Sequence, residues 1–225
     1  MTAAAAAKPA LPSGDSPAAK PVPPPADSLE VRWLVPGPLP AAMTDWFARF
    51  QATTETRQDT YLLQPQLPGL SVKLRDDSAL EVKAYLGSPG ILDLPGRNRG
   101  QLESWSKWSF PYRSCVVDDR APAGWVAIGK RRCSSWFPLA GGKGGCTVEL
   151  TETSAYGRAW WSVGFEATGP AGLLREALEG AAEVVFAQPP PARLDLASSR
   201  SYARWLNQFG PEDLITPKGP GGVPA

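Results

Sequence analysis

The residues best suited to chemistry are lysines, arginines and glutamates that recur at every second position of several short segments. The clearest are residues 72–75, Val-Lys-Leu-Arg, and residues 80–83, Leu-Glu-Val-Lys. Side chains two positions apart share one face of a β-strand. Lysines and arginines converging from such faces would hold a multiply charged anion, such as a phosphate chain, through charge-assisted hydrogen bonds. Glutamates among them would be counter-charges or ligands for a hard cation.

Composition excludes several other chemistries. The chain has no histidine, which excludes Ser-His-Asp and Cys-His catalysis and imidazole-ligated zinc. Cys115, Cys133 and Cys146 are widely spaced, so they indicate neither a disulfide framework nor a thiolate zinc site, and a cytoplasmic location is expected. The net charge of +1 gives no reason to expect nucleic acid or an anionic membrane as a partner. No apolar run is long enough for a membrane span.

The segments that carry these charges are predicted to be antiparallel strands. The predicted strands cover residues 29–35, 57–63, 70–75, 79–86, 102–110, 125–133, 146–152 and 160–168. Helices are expected around residues 43–50, after Pro170, and over 201–209. Because helices do not follow every strand, a parallel α/β sheet is disfavoured. The predicted fold class is all-β dominated: a closed or nearly closed antiparallel barrel of about eight strands with peripheral helices.

The chain is predicted to contain one folded domain between two tails. Residues 1–27 are rich in alanine and proline and contain no aromatic residue, so they are predicted to be disordered. The barrel domain is placed at residues 28–209. Residues 210–225 are rich in glycine and proline and are predicted to be a flexible tail.

Charge falls on one face of six predicted strands, while aliphatic and tryptophan residues fall on the other. On a single strand this pattern is typical of a half-buried sheet whose polar face meets water. Six strands with the same pattern favour a barrel that has a polar lumen and an outer wall packed against helices. In the run of residues 130–132, Lys130 and Arg132 would face the lumen and Arg131 the solvent.

These motifs resemble those of the CYTH superfamily, the triphosphate tunnel metalloenzymes, over about residues 28–168. The family begins with a Glu-x-Glu-x-Lys strand, and residues 28–32 read Ser-Leu-Glu-Val-Arg. Residues 61–62 match the Tyr-Leu that ends a later strand, and residues 73–83 are similar to the family hairpin of Arg-x-Arg, turn and Leu-Thr-x-Lys. The last acidic strand of the family commonly ends Glu-x-Glu, and residues 164–166 read Gly-Phe-Glu.

The resemblance implies a tunnel in which arginines and lysines hold a triphosphate or polyphosphate while glutamates bind Mg²⁺ or Mn²⁺ and support phosphoanhydride hydrolysis. It implies that Glu30, Glu149 and Glu166 are catalytic metal ligands. The phosphate ligands would be Arg32, Lys73, Arg75, Lys83, Lys107, Lys130 and Arg132.

Three departures from the family pattern leave the function open. Ser28 and Gly164 stand where the pattern has glutamate, and Glu81 stands where the family prefers a small or hydroxyl residue. Loss of carboxylates weakens a hard-cation site more than it weakens phosphate binding by lysine and arginine. The sequence therefore allows a metal-dependent triphosphatase, a non-catalytic phosphate-binding or regulatory module, or a charged barrel held together by internal ion pairs.

Overall fold

The computed structural model describes residues 24–76, 78–94, 98–111 and 124–208, and its centre is a closed antiparallel barrel. The predicted fold class is confirmed. Around the barrel the strands follow the order β1-β5-β4-β3-β2-β6-β7-β8. The strands are β1 (Ala26–Pro36), β2 (Thr53–Leu62), β3 (Leu70–Arg75), β4 (Ala79–Leu94), β5 (Asn98–Pro111), β6 (Trp125–Pro138), β7 (Gly145–Ala155) and β8 (Arg158–Thr168).

Short helices complete the described part of the chain. These are α1 (Ala41–Phe47), a 3₁₀ turn (Ala171–Leu173) followed directly by α2 (Leu174–Phe186), and α3 (Tyr202–Leu206). The two tails predicted at 1–27 and 210–225 lie outside the described residues, apart from 24–27, where β1 already begins. Within the described ranges, no helix is long and apolar enough to span a membrane.

The main apolar core lies on the outside of the barrel, between its wall and α2. Alternate residues of β1 and β8, such as Trp33 and Phe165, point outward and are almost fully buried there. Phe186 of α2 stacks on Phe165 with 5.8 Å between ring centroids and meets Trp33 edge-on at 6.1 Å. Burying one such ring stabilises the fold by about 1.5–3 kcal/mol. Because the apolar faces of these strands pack against α2 on the outside of the barrel, their polar faces are directed into the lumen.

A second apolar cluster closes one end of the lumen. It is formed around α3, where Trp205 is fully buried and meets Trp160 edge-on at 5.3 Å. Leu34, Tyr61 and Ile128 contribute the matching strand residues. The hydroxyl oxygen of Ser201 caps α3 by accepting a hydrogen bond from the Arg204 N–H. The lumen is therefore blocked at the end where β1 and β2 finish.

Exposure increases toward the opposite end of the barrel. The side chains of Arg75 and Lys107 are 33% and 28% exposed, whereas that of Lys130, deeper in the lumen, is 3% exposed. The lumen is therefore more open to solvent at this end.

Strand β4 is longer than the sequence predicts. The predicted strand ended at Leu86, directly before Gly87-Ser88-Pro89-Gly90. In the structure β4 continues to Leu94, with register shifts against β5 around Gly87 and Gly90. Both glycines have positive φ, at 131° and 124°, which allows the strand to bulge and resume pairing.

Candidate functional site

All ten residues predicted to form a site line a single cavity in the lumen. About 80 Å³ of the cavity can hold the centre of a water molecule, and about 690 Å³ is free of protein atoms when open solvent is included. Its cationic lining residues are Arg32, Arg57, Lys73, Arg75, Lys83, Lys107, Lys130 and Arg132, and its carboxylates are Glu30, Glu81, Glu149 and Glu166. The structure thus brings the ten predicted residues together, and their individual roles remain predictions.

Strand alternation and register place these side chains. Lys130 is buried and faces the cavity, whereas the side chain of Arg131, one residue later on β6, is 53% exposed on the outer wall. Lys73 lies directly opposite Glu81 in the pairing of β3 with β4, and Glu30 lies opposite Glu166 in the pairing of β1 with β8. Cross-strand neighbours on one face lie close enough to interact, so Lys73 meets Glu81 as an ion pair, whereas Glu30 and Glu166 are like charges and both contact Lys83.

Glu30, Glu166, Lys83 and Lys107 form one group of charges. Lys83 Nζ lies 2.5 Å from Glu30 Oε1 and 3.4 Å from Glu166 Oε1, while Lys107 Nζ lies 3.7 Å from the same Glu166 oxygen. Burial alone would lower the pKa of Lys83, but the carboxylates of Glu166 and Glu30 raise it above its ordinary value. The charge of Lys83 lowers the pKa of Glu166. Lys83 and Glu166 therefore both carry full charge at neutral pH.

Glu149 is held between two arginines. Its Oε2 accepts a hydrogen bond from Arg32 Nη2 at 2.8 Å, and its Oε1 accepts one from Arg132 Nη1 at 2.5 Å. Burial alone would raise the pKa of Glu149, but the charges of Arg32 and Arg132 lower it to about 2. Arg132 also contacts Glu55, with Nη2 2.5 Å from Glu55 Oε1, so two arginines meet two carboxylates at this point of the lumen.

A third group of charges surrounds Asp59, which the sequence analysis missed as a site residue. Asp59 is fully buried, and its Oδ2 accepts hydrogen bonds from Lys130 at 2.7 Å and Lys73 at 3.4 Å. Arg57 Nε lies 3.3 Å from Asp59 Oδ1. Burial lowers the pKa of both Lys73 and Lys130 to about 8, and the charge of Asp59, with that of Glu81 beside Lys73, only partly offsets this effect. The available signal was the alternation of Glu55, Arg57 and Asp59 along β2.

Glu81 is a counter-charge in this structure. Its side chain is 4% exposed, and its oxygens lie 2.9 Å from Lys73 Nζ and 3.0 Å from Arg75 Nη1. Burial alone would raise the pKa of Glu81, but Lys73 and Arg75 lower it below its ordinary value. Glu81 therefore reduces the repulsion between two lumen cations.

Tyr202 of α3 forms the inner end wall of the cavity. Lys130 Nζ lies 3.8 Å from the centroid of its ring, Arg32 Cζ lies 5.0 Å from it, and Tyr61 stacks on it at 6.0 Å. Such cation–π contacts favour a charged group over the ring face. This contact is not predictable from residues 201–209, because nothing in them indicates which part of the barrel α3 packs against.

The three glutamates predicted as metal ligands do not fit a divalent cation in this arrangement. Among residues 24–76, 78–94, 98–111 and 124–208, no cluster of three or more histidines, cysteines, aspartates or glutamates could hold a metal ion. Glu30 and Glu166 are paired with Lys83, and Glu149 with Arg32 and Arg132. These cations lie where a hard-cation site needs carboxylate oxygens.

No family model matches the chain, and no curated protein matches it in sequence. Similar folds occur among solved structures. The mimivirus capping enzyme triphosphatase has 8% identity and a TM-score of 0.41, over 71% of this chain and 89% of that one. The S. pombe Pct1 RNA triphosphatase has 10% identity and a TM-score of 0.39, over 72% and 77%. The PH1819 protein of Pyrococcus horikoshii OT3 has 13% identity and a TM-score of 0.43, over 80% and 98%. At these values the likeness concerns the fold alone.

Proposed function

We propose that the protein binds the terminal phosphates of a triphosphate- or polyphosphate-containing anion in its lumen. One observation carries the proposal: eight cationic side chains line the same cavity, against four carboxylates that line it and Asp59 and Glu55 that contact its cations, in a chain whose net charge is only +1. Charges in a largely enclosed cavity are screened much less than charges on a surface. An anion with several charges would offset the excess that the lumen carboxylates leave uncompensated.

The shape of the lumen favours a ligand with a free phosphate end. Tyr202 and the apolar cluster around Trp205 block one end of the barrel, so a long chain cannot pass through. The terminal phosphates would enter past Arg75 and Lys107 and reach Lys73 and the inner lumen. The rest of the ligand would remain near the open end.

Binding is favoured here over metal-dependent hydrolysis. Hydrolysis with Mg²⁺ or Mn²⁺, which the CYTH resemblance implies, would require Glu30, Glu149 and Glu166 to exchange their cationic partners for a metal ion.

A cytoplasmic location is part of the same proposal, since Cys133 and Cys146 are free thiols.

Calorimetric titration with tripolyphosphate tests the proposed binding. We expect the wild-type protein to bind and Arg75→Glu to lose at least about tenfold in affinity, because the substitution reverses a charge at the open end of the lumen. Arg131→Glu is the matched control, since it reverses a charge on the outer wall. It should bind like the wild type.

Two results would contradict the proposal: no heat of binding from the wild-type protein, or equal losses from Arg75→Glu and Arg131→Glu. The second result would mean that the net charge of the surface, rather than the lumen, attracts the anion. Circular dichroism of both variants checks that the barrel is intact. Release of phosphate in the presence of Mn²⁺, lost in Glu30→Gln, would add catalysis to binding.

A further inference from the structure

The backbone of Gly164 and the side chain of Arg32 fit together closely. Gly164 on β8 pairs with Arg32 on one side and with Glu149 on the other. A Cβ atom added at Gly164 would lie 2.6 Å from Cζ and Nη1 of Arg32 and 2.7 Å from Nη2. The guanidinium group therefore occupies the space that any side chain at position 164 would need. Gly164 also stands where the CYTH pattern has glutamate.

The guanidinium group of Arg32 is held in a fixed position. Nη2 donates to Glu149 at 2.8 Å, Nη1 donates to Ser162 at 3.2 Å, and the group lies over the ring of Tyr202. Its side chain is 11% exposed and lines the cavity. A guanidinium group keeps its charge at every pH the protein meets, and its planar arrangement of donors suits phosphate oxygens.

We infer that Arg32, seated over Gly164, replaces a metal ion as the fixed cation of the site, so that the lumen binds its phosphate ligand without a divalent cation. This inference rests on the proposed function. Arg32 and Arg132 are on opposite oxygens of Glu149, so a divalent cation at that carboxylate would meet two positive charges. A phosphate oxygen approaching the same point would be attracted by both.

Tripolyphosphate titrations with and without metal separate the inference from the proposed function. In buffer freed of metal with EDTA we expect an affinity equal to, or higher than, that in Mg²⁺ or Mn²⁺, because these ions also complex the ligand. If the affinity for tripolyphosphate is lost in EDTA and rises at least about tenfold when metal is added back, the inference is overturned and the proposed function stands. Absence of binding in every buffer would overturn both.

A second titration adds Mn²⁺ to the protein without any phosphate ligand. Electron paramagnetic resonance measures how much of the Mn²⁺ is bound. We expect the wild-type protein to leave the Mn²⁺ signal unchanged. The double variant Arg32→Ala, Gly164→Glu would lack the Arg32 cation and would have a second carboxylate beside Glu149. It should therefore bind Mn²⁺. If the wild-type protein binds Mn²⁺ and Glu149→Gln abolishes that binding, the inference is contradicted.

Gly164→Ala tests the position of the arginine without changing any charge. The added methyl group must displace the guanidinium group, so metal-free affinity for tripolyphosphate should fall at least about fivefold. Gly180→Ala is the matched control, because Gly180 lies on α2 with no atom near its added Cβ. Equal affinity of Gly164→Ala and wild type would count against a seated Arg32. Should Gly164→Ala fail to fold, the two metal titrations on the wild-type protein still decide the question.

Discussion

At the scale of single residues, Asp59 determines how the inner lumen carries its charge. It is the shared counter-charge of Lys130, Lys73 and Arg57. Burial in the lumen disfavours the charged form of Lys73 and Lys130, and Asp59, with Glu81 beside Lys73, only partly offsets this effect, so both lysines lose protons more easily than they would in water. Under the proposed function, a bound phosphate ligand would add negative charge beside these lysines and favour their charged form.

This shared carboxylate predicts a pH dependence of ligand binding. The pKa values of Lys73 and Lys130 are about 8 in the free protein, below the ordinary 10.5. The neighbouring charges are Asp59, Glu81, Arg75, Arg57 and Arg32. A bound polyanion favours charged lysines and raises both pKa values, so binding takes up protons above about pH 8. We expect the affinity for tripolyphosphate to decrease as the pH rises through about 8 to 10.

Calorimetry in buffers of different ionisation enthalpy measures this proton uptake. Titration of the ligand itself is common to all variants and cancels when they are compared. Lys73→Met should take up fewer protons than the wild type, whereas Arg131→Met, on the outer wall, should keep the wild-type uptake. The same uptake in the wild type and Lys73→Met would show that Lys73 is not a source of the effect.

At the scale of secondary structure elements, the period of two along the strands was enough to predict the barrel. The strands predicted at 29–35 and 160–168 became β1 and β8 with ends displaced by a few residues. The alternation of charged and apolar residues along the predicted strands also placed the ten predicted site residues on one side of the sheet, because the register of an antiparallel strand fixes its faces. Apolar residues on the other side required the helices that cover the outer wall.

Two other elements could not be predicted, each for a physical reason. The continuation of β4 depends on a bulge at Gly87 and Gly90, and a local reading of these glycines gives a turn. The position of α3 depends on long-range packing of Trp205 against Trp160, which no local pattern encodes. The role of Asp59 was missed for the same reason, because its partners come from β3 and β6.

The packing of α3 predicts a stability effect at the closed end of the barrel. Trp205→Ala would remove a fully buried side chain from the apolar cluster, so the free energy of unfolding should fall by about 3–5 kcal/mol. Urea denaturation followed by tryptophan fluorescence measures it. Gln208→Ala, an exposed position just beyond α3, should change the free energy by less than about 1 kcal/mol. A loss below about 1 kcal/mol for Trp205→Ala would mean that α3 does not close the barrel.

At the scale of the whole molecule, the net charge conceals the charge distribution that matters. The chain has 23 lysines and arginines and 22 acidic residues, which by itself suggests no anionic partner. Closure of the sheet sorts these charges: eight cations and four carboxylates line the lumen, Asp59 is buried against two of those cations, Lys73 and Lys130, and pairs such as Arg131 with Glu152 lie outside. Repulsion among the lumen cations is therefore a cost of folding that a bound anion would reduce.

This cost predicts that the fold is stabilised by anions according to their charge. A ligand present at about 100 times its dissociation constant stabilises the folded state by about 2.7 kcal/mol, which corresponds to a rise in Tm of about 5–11 °C for a chain of this size. Thermal unfolding should show this rise with tripolyphosphate, a smaller rise with pyrophosphate, and the smallest with sulfate at equal ionic strength. Arg75→Glu should reduce the rise and Arg131→Glu should keep it. Equal rises with sulfate and tripolyphosphate would instead indicate general salt screening, since an enclosed lumen distinguishes anions by the number of charges they bring into it.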